Sequence, residues 1–237
     1  MTFKLFEDDA YLRSCEAQVL SMPSPHEIVL DRTCFYPLGG GQPGDQGYIE
    51  LQTGEQLKVV NTRYTKDRSA IIHDLEKEAH LLAGVKVVAH IDWQRRYSIM
   101  RAHTALHLLS VLLPYPVTGG QIDAAKGRLD FKLPPIALDK EALSQQLTEL
   151  AARDEPVSTD WITEQQLDDN PELVKTLSVT PPRGTGKIRL IRVGKKTDLQ
   201  PCGGTHVSTT GEIGPIRVTK IESKGQQNRR LRIQLEE

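Results

Sequence analysis

The chain of 237 residues carries 26% charged and 38% hydrophobic residues at a formal net charge of −1, a balance that excludes a disordered polyelectrolyte. No apolar run approaches the roughly 18 residues of a spanning helix, so no membrane association is expected. The first nine residues end in Glu7-Asp8-Asp9, acidic where a signal peptide would be apolar, which predicts a cytoplasmic protein.

Up to about residue 92 the apolar residues come in short runs: Ile28-Val29-Leu30, Tyr48-Ile49-Glu50-Leu51, Leu57-Lys58-Val59-Val60, Ala70-Ile71-Ile72 and 85–91. Turn formers, Ser21-Met22-Pro23-Ser24-Pro25 and Thr53-Gly54 among them, separate these runs. Short strands at such spacing predict a β domain over residues 1–92, a small barrel or sandwich. From Trp93 to Leu113 the period changes. Ile99, Ala102, Leu106, Leu109 and Leu113 recur at helical spacing until Pro114, which predicts a buried helix.

After that helix the pattern predicts a strand over 128–133 and a second helix from about Leu138 to Arg153 with Asp139 as its N-cap. Strands at 188–193, 216–218 and 231–235 close the chain, the last alternating so that Arg230 and Arg232 share a face. The whole is read as α+β: a β-barrel-like N-terminal domain followed by an α+β domain over residues 93–237. Its C-terminal part is strongly basic. Residues 183–232 hold 12 Lys/Arg against 3 Asp/Glu, and the remaining 18 and 28 lie elsewhere, +9 against −10. Such an asymmetry suits a polyanion, although a charged face neutralised within the fold gives the same count.

Two clusters carry the chemistry. His103-Thr104-Ala105-Leu106-His107 places two imidazoles one helical turn apart, and Cys202-Gly203-Gly204-Thr205-His206 adds a thiol and a third imidazole. Three cysteines, an odd number, argue against a disulfide framework and leave Cys202 available as a ligand. Nitrogen and thiolate donors together suit Zn²⁺, and four of them complete a tetrahedral shell. One zinc ion per chain is therefore expected, held by His103, His107, Cys202 and His206. A closed shell of four protein ligands is more usual in structural than in catalytic sites, so both roles stand open. Thr104 occupies the place where a His-Glu-x-x-His metalloprotease carries its base, which argues against that mechanism. The segment 35–47, rich in glycine, lacks the ending of a phosphate loop; it is either a set of tight turns or an exposed backbone that approaches phosphate or ribose.

Four segments together resemble a known family: Phe35-Tyr36-Pro37 running into 39–47, Arg101 to Leu109, Gly127-Arg128-Leu129-Asp130-Phe131, and Pro201-Cys202-Gly203-Gly204-Thr205-His206. The chain is similar to free-standing alanyl-tRNA editing proteins of the AlaX type, in their medium-length form, which are related to the editing domain of alanyl-tRNA synthetase. The resemblance implies a zinc-dependent hydrolase of the ester in mischarged tRNA(Ala), chiefly Ser-tRNA(Ala), acting in trans because the chain has no room for an aminoacylation core. It also places Thr118 where the family is proposed to recognise the serine hydroxyl and makes Gln121 a candidate for orienting substrate. Tight turns aside, Gly39, Gly40, Gly41 and Gln42 become candidates for contact with tRNA, and Lys220, Lys224, Arg229, Arg230 and Arg232 for contact with acceptor-stem phosphates. Leu106 stands where many synthetase-embedded domains have threonine, so that residue's role is not carried over. The alternatives are a non-catalytic RNA-binding module with a structural zinc and an editing hydrolase for another mischarged tRNA, such as Ser-tRNA(Thr).

Overall fold

The computed structural model describes residues 1–134, 136–176, 186–225 and 227–236. The chain divides into two units, Met1–Tyr97 and Ser98–Glu237. The first opens with β1 (Phe3–Lys4) and α1 (Leu5–Asp8), continues through β2 (Ser14–Ser24), β3 (Glu27–Leu30), β4 (Arg32–Thr33), β5 (Gly47–Leu51), β6 (Gln56–Tyr64) and β7 (Ile71–Leu75), and reaches β8 (Lys86–Ile91). Strands β2, β3, β7, β6, β5 and β8 close into a barrel, which removes open sheet edges. Alternation does the rest: Ala17 and Val19, Ile28 and Leu30, Leu57 and Val59, and Val87, Ala89 and Ile91 fill the barrel interior.

The expected turn at 21–25 is corrected. Ser21 to Ser24 belongs to β2, and the β2–β3 register shifts between Ser21 and Ser24. Pro23, which has no N–H to give, sits in that irregularity and so costs the ladder little. Thr53-Gly54 does turn the chain between β5 and β6, with Gly54 at φ 83° donating its N–H to Leu51 O at 2.9 Å.

Helix α2 (Trp93–Leu112) begins in the first unit and continues in the second. It is followed by β9 (Val117–Asp123), β10 (Lys126–Lys132), α3 (Lys140–Ala151), β11 (Val157–Thr163), α4 (Glu164–Asp168), β12 (Lys187–Val193), β13 (Asp198–Pro201), β14 (Ile216–Ser223) and β15 (Asn228–Leu235). Strands β14, β15, β10 and β9 form one sheet in that order, and β11, β12 and β13 form another. Asp139 caps α3 by accepting from Glu141 N and Ala142 N. Ser144 Oγ and Thr148 Oγ1 of α3 then bond the backbone of β14, and Leu143, Leu147 and Leu150 are buried. The sequence pattern does not assign β9, β11 and β13. Two glycines in β9, half-exposed polar residues in β11 and a length of four residues in β13 weaken the periodic signal. Among the described residues no helix is long and apolar enough to cross a membrane.

Candidate metal centre

Of the eleven residues of α2 from Ile99 to Leu109, all but Arg101 are buried, so the helix is gripped on nearly all sides and its histidines cannot wander. His103 and His107, one turn apart, are joined there by Cys202 and His206 from the segment after β13. The four donor atoms lie within 4.8 Å of one another. Cys202 Sγ is 3.5 Å from His103 Nε2 and 3.4 Å from His206 Nε2. A tetrahedral zinc with Zn–N near 2.05 Å and Zn–S near 2.3 Å requires an S···N edge of about 3.6 Å. The residues therefore fit the ion in donor type, number and spacing.

The hydrogen bonds behind the donors decide which ring nitrogen faces inward. Asp198 Oδ2 lies 3.0 Å from His107 Nδ1, and Gln200 Nε2 donates to the same carboxylate oxygen at 2.7 Å. A carboxylate can only accept, so His107 carries its hydrogen on Nδ1 and turns the Nε2 lone pair to the cluster. Thr104 acts likewise for His206. Its hydroxyl donates to Met100 O at 3.0 Å, which leaves Oγ1 to accept from His206 Nδ1 at 3.1 Å and from Val207 N at 3.3 Å. Lys175 Nζ binds the other oxygen of Asp198 and completes a line from lysine through carboxylate to imidazole.

The electrostatics of His206, Cys202 and Asp198 suit ligand use, whereas Asp198 and Cys202, against the effect of burial, raise His107 to about 9, so a metal ion there must displace a proton. Burial pushes His206 well below the usual imidazole range, as do its neighbours His103 and His107. Burial alone would raise the Cys202 thiol, but His103 and His206 hold it well below its ordinary value, as a thiolate. Asp198, opposed by its own burial, is lowered to about 2 by His107 and Lys175. A Cβ on Gly203 would meet open space, so packing does not demand glycine there; Cys202 is aimed by the N–H of Gly204, 3.5 Å from Sγ, and by Arg189, which binds Cys202 O and Gly204 O.

Asp198, Gln200, Thr104 and Lys175 are functional neighbours that the sequence reading missed. A signal for two of them was present. Asp198 and Gln200 lie four and two residues before Cys202, the alternate positions of a strand that share its face.

Thr118 lies on β9 at a bulge, because Val117 pairs with Phe131 while Gly119 pairs with Asp130. Its hydroxyl donates to Asp130 O at 3.2 Å and accepts from Asn228 Nδ2 at 3.1 Å. The strand is connected to the metal cluster through Lys175: Val117 N donates to Lys175 O at 2.9 Å, and the side chain of Lys175 reaches Asp198. Gln121 is exposed and accepts from Arg128 Nε at 3.3 Å.

In the first unit, Gly39 and Gln42 exchange backbone hydrogen bonds around Gly40 (φ 58°) and Gly41 (φ 82°), a two-residue turn that only positive-φ residues make cheaply. Gln42 is fully buried, so the turn presents the Gly40–Gly41 backbone outward. Asp45 anchors the segment by accepting from Tyr36 N and pairing with Arg96, a fully buried guanidinium that also binds Cys34 O and Ala10 O.

The basic candidates on β14 and β15 are engaged with acidic neighbours. Arg230 grips Asp130 through two bonds of 2.7 and 2.8 Å, and Arg128 joins from the other side at 2.8 Å. Against the effect of burial, these cations hold the Asp130 carboxyl below its usual range. Glu222 gathers Lys220, Lys224 and Arg232 at 3.3, 3.7 and 2.8 Å. Arg229 bonds Ser223 Oγ and Gly225 O.

Residues 188–232 match a family profile described as the threonyl and alanyl tRNA synthetase second additional domain, and residues 9–95 match one described as class II (A) tRNA synthetases. An alanyl-tRNA editing protein AlaX-M from Methanosarcina acetivorans is 34% identical, with 98% of each chain covered. The protein of that name from Saccharolobus solfataricus is 30% identical over the same shares. The alanine–tRNA ligase of Sulfurisphaera tokodaii is 37% identical over 93% of this chain but only 25% of its own length. Similarity from end to end with the first two proteins means that the chain belongs to the AlaX-M family of alanyl-tRNA editing proteins.

Proposed function

We propose that the protein is a zinc-dependent aminoacyl-tRNA deacylase that acts in trans on mischarged tRNA(Ala), chiefly Ser-tRNA(Ala), in the cytoplasm. The reading is carried by one observation: four zinc-type donors from two distant segments converge in a family whose relatives are named for alanyl-tRNA editing. In this reading His103, His107, Cys202 and His206 hold one zinc ion, α2 is the zinc-binding helix, and residues 93–237 work as the editing domain beside an N-terminal domain of residues 1–92. When bound, zinc supplies a Lewis acid that orients the substrate or polarises the groups around its ester. Asp198 and Thr104 keep His107 and His206 in the tautomer that binds metal.

An aminoacyl ester is already activated, so oriented donors suffice and no covalent nucleophile is required; Cys202 is a ligand. Selectivity rests on Thr118. Its proton points to Asp130 O, so toward a ligand its Oγ1 acts as an acceptor, a partner for the hydroxyl of serine and not for the methyl of alanine. Gln121 orients the substrate, the Gly39–Gln42 turn contacts the tRNA, and Lys220, Lys224, Arg229, Arg230 and Arg232 meet acceptor-stem phosphates.

Deacylation of Ser-tRNA(Ala) and Ala-tRNA(Ala) by the native protein and by Thr118→Val tests this reading. The serine ester is expected to be cleaved about 100-fold faster or more, and Thr118→Val to lose most of that preference. Equal rates on the two esters would overturn the selectivity assignment, and no deacylation with bound zinc would make the metal a structural one.

A further inference from the structure

The barrel brings its two cysteines together, and neither belongs to the metal centre. Cys15 on β2 stands opposite Ala89 of β8 in the barrel ladder. The Cys34 thiol, from the segment after β4, points at the carbonyl of that same Ala89, with Sγ 3.6 Å from the oxygen. Both side chains pack in one apolar cluster, where Cys34 is enclosed and Cys15 stays partly open to solvent. At this point Cys15 Sγ lies within hydrogen-bond reach of both the thiol and the backbone N–H of Cys34. Contact with the Cys34 thiol holds Cys15 below the ordinary thiol range against the effect of burial, while the same contact and enclosure raise Cys34. An accessible, acidified thiol beside a second, sheltered one is the arrangement that converts peroxide chemistry into a disulfide instead of overoxidation.

We propose that Cys15 and Cys34 form a reversible two-electron oxidation site, with Cys15 the peroxide-reactive thiol and Cys34 the thiol that resolves it. The Cys15 thiolate attacks one oxygen of hydrogen peroxide; the O–O bond breaks, hydroxide leaves and is protonated to water, and Cys15 becomes a sulfenic acid. Cys34 sulfur then attacks Cys15 sulfur. The S–O bond breaks, and the departing hydroxide takes the Cys34 proton as a second water. Two thiols and one peroxide thus yield one disulfide and two waters, and a thiol reductant reverses the change by exchange. The new bond would tie β2 to the segment that leads through Phe35 and Tyr36 into the Gly39–Gln42 turn, so oxidation is felt where the glycine-rich segment begins.

Purified protein treated with equimolar hydrogen peroxide, alkylated and digested without reductant provides the test. The expected product is an intramolecular cross-link between the peptides containing Cys15 and Cys34, two hydrogens lighter than their sum and abolished by dithiothreitol. Cys34→Ser should give no cross-link and a Cys15 sulfenic acid that dimedone captures; Cys15→Ser should leave Cys34 as a thiol at the same dose. Recovery of Cys15 in the native protein as unreacted thiol or sulfinic acid, or its linkage to Cys202 or to a second chain, would overturn the proposal.

Discussion

Asp198 shows how much the candidate metal centre depends on a residue outside the four donors. One oxygen takes the Nδ1–H of His107 and the other takes Lys175, while Gln200 fixes the carboxylate from the side. Asn at this position keeps the shape and an acceptor but removes the charge that makes imidazole a better donor. Asp198→Asn is therefore expected to lower zinc affinity by about 10- to 100-fold, measured by competition with a chromogenic chelator, with the fold retained by circular dichroism. An unchanged affinity would show that His107 is oriented by its packing alone. The clustering of His103, His107, Cys202 and His206 was legible in the sequence because their residue types and their i, i+4 spacings are chemically narrow. Asp198 was not singled out, because a lone aspartate two residues from a glutamine has many uses, and only the fold brings it to Nδ1. Lys175 left no local mark at all, since it lies 23 residues before the carboxylate it binds.

At the scale of elements, a glycine and a leucine mark how closely α2 approaches its sheet. A Cβ built on Gly127 of β10 would lie 2.9 Å from Leu106 Cδ1 and 3.3 Å from Gln121 O. Leu106 sits between His103 and His107 and is buried, so it can yield to such a group only by moving the helix that carries both histidines or by leaving its rotamer. Gly127→Ala should cost about 1–3 kcal/mol in urea unfolding. Leu106→Ala removes the obstacle at the expense of a cavity, so the double variant should be less destabilised than the sum of the two single changes. Simple additivity would mean that the strand accommodates the methyl group without the helix. The stripe of Leu106 and Leu109 made the helix readable from its period. The cross-element fit with Gly127 was not readable, because a strand glycine looks the same in sequence whether it meets solvent, a turn or a helix. The strand β9 escaped for a related reason: its bulge at Thr118 breaks the alternation by which a strand is recognised.

At the scale of the molecule, the basic C-terminal count is partly spent inside the fold, and this divides the cations into two classes. Arg230 is clamped by Asp130 within the sheet and is 20% exposed, whereas Lys220 is 63% and Lys224 41% exposed, and both share Glu222 with Arg232. An exposed pair of this kind contributes little to stability and opens easily when a phosphate competes for the ammonium group. Replacing both Lys220 and Lys224 by Ala should then weaken tRNA binding at low salt. It should also reduce the slope of log affinity against log salt by up to about 2, as two phosphate contacts and their counterions are lost. Arg230→Ala should act differently, destabilising the β10–β15 pairing in urea by leaving Asp130 with Arg128 alone, with a smaller change in that slope. Equal slopes for the lysine variant and the native protein would place the polyanion on another face. The +9 against −10 imbalance in the sequence would then be a property of neutralised neighbours, which charge counting cannot tell from a binding surface because it does not see that Arg232 and Arg230 lie across the strands from Glu222 and Asp130.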